Sequence, residues 1–108
     1  ARCNTGEGGI GTTTAVGLFP AGASPCGALD MAGNVWEWTS SLYQDYPYQV
    51  DDGRENPQGK GRRVLRGGAF DNDARGVRCA YRRRSYPDRG VRRYGFRVVV
   101  GPGFASGL

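Results

Sequence analysis

The chain has 108 residues, with 15 basic side chains against 10 acidic ones and no histidine, for a formal charge of +5. That length is one small domain or a piece of one, because a single core ordinarily takes about 100 to 150 residues. Without histidine the Ser-His-Asp and Cys-His nucleophilic arrangements cannot be assembled, and Cys3, Cys26 and Cys79 lie far apart with no CxxC spacing for zinc.

Nineteen glycines predict a backbone dominated by turns, since glycine serves where φ is positive or where backbones approach closely. Gly6 to Thr14 reads as loop, and Ala15 to Phe19 as a short apolar stretch stopped by Pro20. Cys26 to Trp38 is the most apolar segment, so Leu29, Met31, Val35, Trp36 and Trp38 are expected to be largely buried. Tyr43 to Lys60, punctuated by Pro47, Gly53, Pro57 and Gly59, predicts a long surface loop.

Val64-Leu65-Arg66 predicts a strand entering a tight turn at Gly67-Gly68, with Ala69 and Phe70 packing back inward. Asp71 to Tyr94 has neither helical nor strand periodicity, and so long a patternless stretch between two strands points to function. Gly95 to Val100 predicts a closing strand with Phe96 and Val98 on one side, and Gly101 to Leu108 a frayed tail. The cysteines read either as buried small hydrophobes or as one disulfide with a spare thiol. No apolar run approaches the roughly 20 residues that span a bilayer, so no membrane partner is expected; the compartment is left open.

Three segments together resemble the formylglycine-generating enzyme (sulfatase-modifying factor) family. They are Leu29-Asp30-Met31-Ala32-Gly33-Asn34-Val35-Trp36-Glu37-Trp38-Thr39, Arg63-Val64-Leu65-Arg66-Gly67-Gly68-Ala69-Phe70 and Tyr94-Gly95-Phe96-Arg97-Val98. The resemblance implies an α+β, C-type-lectin-like fold with little regular structure and short antiparallel strands. Residues 1–100 would be the C-terminal part of such a domain and 101–108 a tail, with the domain's own N-terminal segment as one expected partner.

The resemblance also implies a structural Ca²⁺ held by Asp30 and Glu37 with the carbonyls of Gly33 and Val35, hard oxygen donors suited to that ion; the plain alternative is that Glu37 pairs with an arginine. A second family calcium site has Gly8 where an aspartate is needed and is expected to be lost. The family's catalytic cysteines, which bind copper through thiolates, fall here on Asn72 and on Arg75 to Val77, with Ala69 at a serine position. No copper and no catalysis are therefore expected, and Cys79 matches a structural cysteine.

Asp71 to Tyr94 lacks Lys, Glu, Gln, Trp and Met, all of which occur earlier in the chain. The residue types present are those that codons ending in cytosine can encode, a pattern resembling the variable proteins of diversity-generating retroelements; chance omission in a short, arginine-rich stretch is the plain alternative. Tyrosine offers large contact area at low entropic cost and arginine adds directional donors. The expected ligand-contacting residues are Asp71, Asn72, Asp73, Arg75, Tyr81, Arg83, Tyr86, Asp88, Arg92, Arg93 and Tyr94, facing a protein or small-molecule ligand. The rival readings are a formylglycine-generating oxidase acting on a sulfatase cysteine and a nucleic-acid-binding module; Asp71, Asp73 and Asp88 among the arginines argue against the second by repelling phosphate.

Overall fold

The structure is a computed structural model and describes residues 1–101. Four strands, β1 (Trp36–Leu42), β2 (Arg63–Arg66), β3 (Arg82–Ser85) and β4 (Tyr94–Gly95), form one sheet in the order β3-β2-β1-β4. One short helix, α1 (Ala74–Val77), and two 3₁₀ turns are the other regular elements among the described residues.

Aromatic and β-branched residues make β1 a good strand, and its period of two puts Trp36 and Trp38 on one face. Trp38 lies opposite Leu65 of β2, and Leu65 opposite Arg83 of β3. On this face Trp36, Leu65, Ala69 and Phe70 form the buried core, with Trp38 and Tyr94 packed against it. Past Trp38 the β1–β2 register slips before Leu42 meets Arg63. The Thr39 hydroxyl donates to the Val64 carbonyl at 2.9 Å, filling the irregularity.

Ahead of β1 the chain is held by its backbone. Gly33 has φ +78°, and a Cβ there would come within 2.3 Å of the Asn4 carbonyl, which accepts from the Asn34 N–H at 2.9 Å. Gly33 N–H in turn donates to the Gly67 carbonyl at 2.7 Å. The Gly67-Gly68 turn is equally intolerant of side chains: at Gly68 (φ +75°) a Cβ would meet the Val77 side chain at 2.4 Å.

The loop from 43 to 62 contains no regular element, as expected, yet two buried arginines brace it. Arg54 makes a two-pronged pair with Asp52 and also donates to the carbonyls of Asp45 and Pro47. Arg63 donates to the carbonyls of Ser40, Asn56 and Gly59. Each guanidinium replaces water for carbonyls that a loop cannot pair internally.

Several expectations are corrected. Met31 is 50% exposed, because residues 30–34 pass through left-handed conformations at Asp30, Gly33 and Asn34 that bury backbone rather than side chain. Strand pairing of the closing segment stops at Gly95, and Phe96, Val98, Val99 and Val100 are exposed, since no described strand runs beside them. The sheet is mixed: β4 runs parallel to β1 through Trp36↔Tyr94 and Glu37↔Gly95. Asp71 to Tyr94 holds both α1 and β3, which its lack of apolar periodicity concealed. All three cysteines are free; Cys26 and Cys79 are exposed, so neither burial nor a disulfide accounts for them. The expected frayed tail lies outside the described residues from 102 onward.

Candidate functional site

Strand alternation sorts the arginines of β3 onto two faces. Arg82 and Arg84 point to one side, where the Arg82 guanidinium lies 4.2 Å from the Tyr43 ring and 4.0 Å from Tyr46, and Arg84 lies 5.0 Å from Tyr43. Arg83 points to the core side, its guanidinium 5.7 Å over both Trp36 and Tyr94. The four ion pairs among the described residues engage Arg54, Arg75, Arg93 and Arg97, which leaves Arg83 without an acidic partner there.

Beside Arg83 a solvent-open pocket of about 330 Å³ is lined by Trp36, Asn72, Asp73, Arg75, Gly76, Arg78, Tyr81 and Arg83. Its wall is built from α1 and the chain on either side of it. Asp73 caps the helix by accepting from the N–H groups of Arg75 (3.0 Å) and Gly76 (3.3 Å), and Glu7 accepts from Ala74 N–H at 2.9 Å. These donors, the Gly76 N–H first and then the Arg75 side chain, hold the Asp73 carboxyl below its ordinary range. Asn72 accepts from Ala69 N–H at 2.9 Å, tying the wall to the glycine turn. Opposite, the Tyr81 and Trp36 rings stand 5.9 Å apart at 45°.

Of the eleven expected contact residues, Asn72, Asp73, Arg75, Tyr81 and Arg83 gather around this cavity. Asp71 and Arg93 form an ion pair at 2.6 Å, and Arg92 and Arg93 both stack near Phe70. Tyr86 and Asp88 are exposed on the turn after β3, where Arg89 N–H donates to the Tyr86 carbonyl. Tyr94 is half-buried and packs edge-on against Trp38 at 5.5 Å, a framework position. Trp36, Gly76 and Arg78 belong to the cavity but were not expected there. The alternation of Trp36 and Trp38 could have indicated that an indole lies on the same face as the variable-looking segment.

At the positions expected to hold calcium, the Asp30 and Glu37 side chains and the Asp30 carbonyl already engage Gly17 and Arg97. Both Glu37 carboxylate oxygens accept from Arg97, and the same guanidinium donates to the carbonyls of Leu29 (2.7 Å) and Asp30 (2.9 Å). The Asp30 carboxylate accepts from Gly17 N–H at 2.9 Å. The Glu37 carboxylate, one of the expected calcium ligands, is thus neutralised by a guanidinium, and a Ca²⁺ ion there would have to displace Arg97 from it. No group of three or more metal-capable side chains is present among the described residues.

Comparison with known proteins places this geometry. Serine/threonine-protein kinase pkn1 of Chlamydia caviae is 40% identical over 93 residues, covering 82% of this chain and 15% of the kinase. Formylglycine-generating enzyme of Mus musculus is 36% identical over 103 residues, covering 90% of this chain and 27% of the enzyme. The chain therefore spans a minor part of these relatives. Among solved structures, Treponema denticola variable protein 1 superposes with a TM-score of 0.70 at 26% identity, over 88% of this chain and 34% of that one. Few helices and a curled mixed sheet agree with that neighbour, so the fold is the C-type-lectin-like one. Residues 2–102 match the sulfatase-modifying factor enzyme 1-like domain, and the chain belongs to that family.

Proposed function

We propose that the chain is a non-catalytic ligand-binding domain that displays the Asp71–Tyr94 segment as its contact face. The observation that carries this reading is the cavity between α1, β3 and Trp36: five expected contact residues converge on a rigid floor that includes the most deeply packed tryptophan. The positions that the family resemblance assigns to catalytic thiolates carry Asn72 and residues Arg75 to Val77 of α1, and Asn72 is engaged in holding Ala69. The likeness to a variable protein supports the further reading that this segment is diversified by a retroelement.

The test is panning of a random peptide-display library on the chain and on a Tyr81→Ala/Arg83→Ala variant. Peptides enriched by the first and ignored by the second support the contact face; equal enrichment by both contradicts it. Incubation with copper and a sulfatase-derived cysteine peptide checks the oxidase reading, and formylglycine formation would overturn ours. Sequencing the gene in independent isolates addresses diversification, which predicts changes concentrated at adenines of codons 71–94. A structural Ca²⁺ at Asp30, Glu37 and the carbonyls of Gly33 and Val35 is proposed as well, and it would compete with Arg97 for the Glu37 carboxylate.

A further inference from the structure

β3 is an outer strand of the sheet, with no described strand on its far side. Antiparallel pairing with β2 uses the backbone groups of every second residue and turns those of the others away. Beyond that pairing, no loop backbone and no side chain among the described residues bonds to an N–H or carbonyl of Arg82 to Ser85. A row of unmet donors and acceptors on an edge is a template for another strand.

The side chains of β3 decide which strand could use it. Arg82 is committed, because it donates to the Gln44 carbonyl at 2.6 Å and stacks on Tyr43 and Tyr46. Arg83 and Arg84 are exposed and rest on rings, but neither makes a hydrogen bond or an ion pair among the described residues. Being consecutive in a strand, they project to opposite faces of the sheet. A second copy pairing through this edge would set arginine against arginine, which disfavours the chain's own strand as the occupant. A nucleic-acid backbone brings acceptor oxygens but no N–H for the outward carbonyls of β3.

Resting on the ligand-binding reading above, we infer that the free edge of β3 takes an extended peptide strand carrying two adjacent carboxylate side chains. The peptide backbone supplies both donors and acceptors to continue the ladder. Successive side chains of a strand alternate between faces, as Arg83 and Arg84 do. Neighbouring acidic residues therefore reach both free guanidinium groups at once, each through a charge-assisted pair. Carboxylates two positions apart share one face and reach only one of them. The +5 charge of the chain favours the approach of such a segment.

The test is titration of the full chain, isotope-labelled for amide detection, with a peptide capped at both ends and carrying two adjacent glutamates at its centre. The β3 amides are expected to shift saturably and the outward ones to gain protection from exchange. An isomer with its glutamates separated by one valine has equal charge and is expected to bind about tenfold more weakly, one charged pair being lost. Arg83→Gln and Arg84→Gln should each cost a similar factor, with amide dispersion as the folding control. Two further peptides, N-methylated on alternate residues along one edge or the other, keep the charge; only one should bind, because the other has lost the donors that face β3. Equal binding of the spaced isomer, of both methylated peptides, or by both variants would reduce the interaction to unspecific attraction and overturn strand addition. Tighter binding of a single-stranded oligothymidylate would overturn it in favour of nucleic acid. No saturable shift with any peptide would overturn it outright. The library panning decides the broader reading separately, and enriched peptides without adjacent acidic residues would sink this inference alone.

Discussion

Two sets of arginines in this molecule have opposite fates. Arg54 and Arg63 are buried, and their guanidinium groups are consumed by a carboxylate and by loop carbonyls. Arg78 and Arg83 are exposed, form no ion pair among the described residues and lean on aromatic rings. The same side chain serves as internal solvent for an irregular loop in one place and as an available donor in the other. The difference is set by what surrounds it: residues 45–59 supply carbonyls without partners, whereas the neighbours of Arg83 are the faces of Trp36 and Tyr94. Framework and face are thus separated by partner satisfaction, not by residue type.

The most damaging change should strike the shared floor. Trp36→Ala removes the largest fully buried side chain and is expected to cost about 3 to 5 kcal/mol in a denaturant titration; a neutral result would mean that the core lies elsewhere. Next comes Arg63→Ala, which strands carbonyls of Ser40, Asn56 and Gly59. A loss of about 3 kcal/mol is expected by the same measurement, from several unsatisfied groups. If Arg63→Ala and Arg83→Ala proved equally mild, the contrast between the two sets would collapse.

Arg97 sharpens the comparison because it is partly exposed but fully engaged. Arg97→Gln should lower stability by about 1 kcal/mol and free Glu37 and the Leu29 and Asp30 carbonyls. Millimolar Ca²⁺ should then raise the melting midpoint of the variant more than that of the unaltered chain. Identical responses would argue against competition between Arg97 and Ca²⁺ for the Glu37 carboxylate.

The mildest effect concerns acid. Asp73 has its carboxyl held below the ordinary range by the Gly76 N–H and the Arg75 side chain. Its contribution is fully present above the unfolded value near 3.8 and is lost as pH falls through the lower folded value. Amide exchange at Arg75 and Gly76 should therefore accelerate as pH drops through that window, after correction for intrinsic rates, and Asp73→Asn should abolish the dependence. Persistence in the variant would show that Asp73 is not the cap.

Much of the framework was legible because its signals are local. Two glycines at Gly67-Gly68 must turn, Val64-Leu65 must be buried, and the Trp36 to Trp38 alternation must present one aromatic face. What escaped depends on partners distant in sequence. β3 is four residues of which three are arginine, so no apolar period marks it, and it exists because β2 lies alongside. The closing segment has ideal strand composition from Phe96 to Val100 but no described neighbour to pair with, and composition alone cannot supply one. The site was half legible: tyrosine and arginine content pointed to the segment, but assigning Tyr94 to the framework and Trp36 to the cavity required the parallel pairing of β4 with β1.

The division between framework and face is tested most directly by measuring melting and peptide binding together on the Tyr81→Ala/Arg83→Ala variant. The expected result is a stability change within the range of ordinary surface substitutions, about 0.5 kcal/mol, with binding of the selected peptides lost. Unfolding of the variant, or binding that survives both substitutions, would contradict the assignment of this surface to ligand recognition.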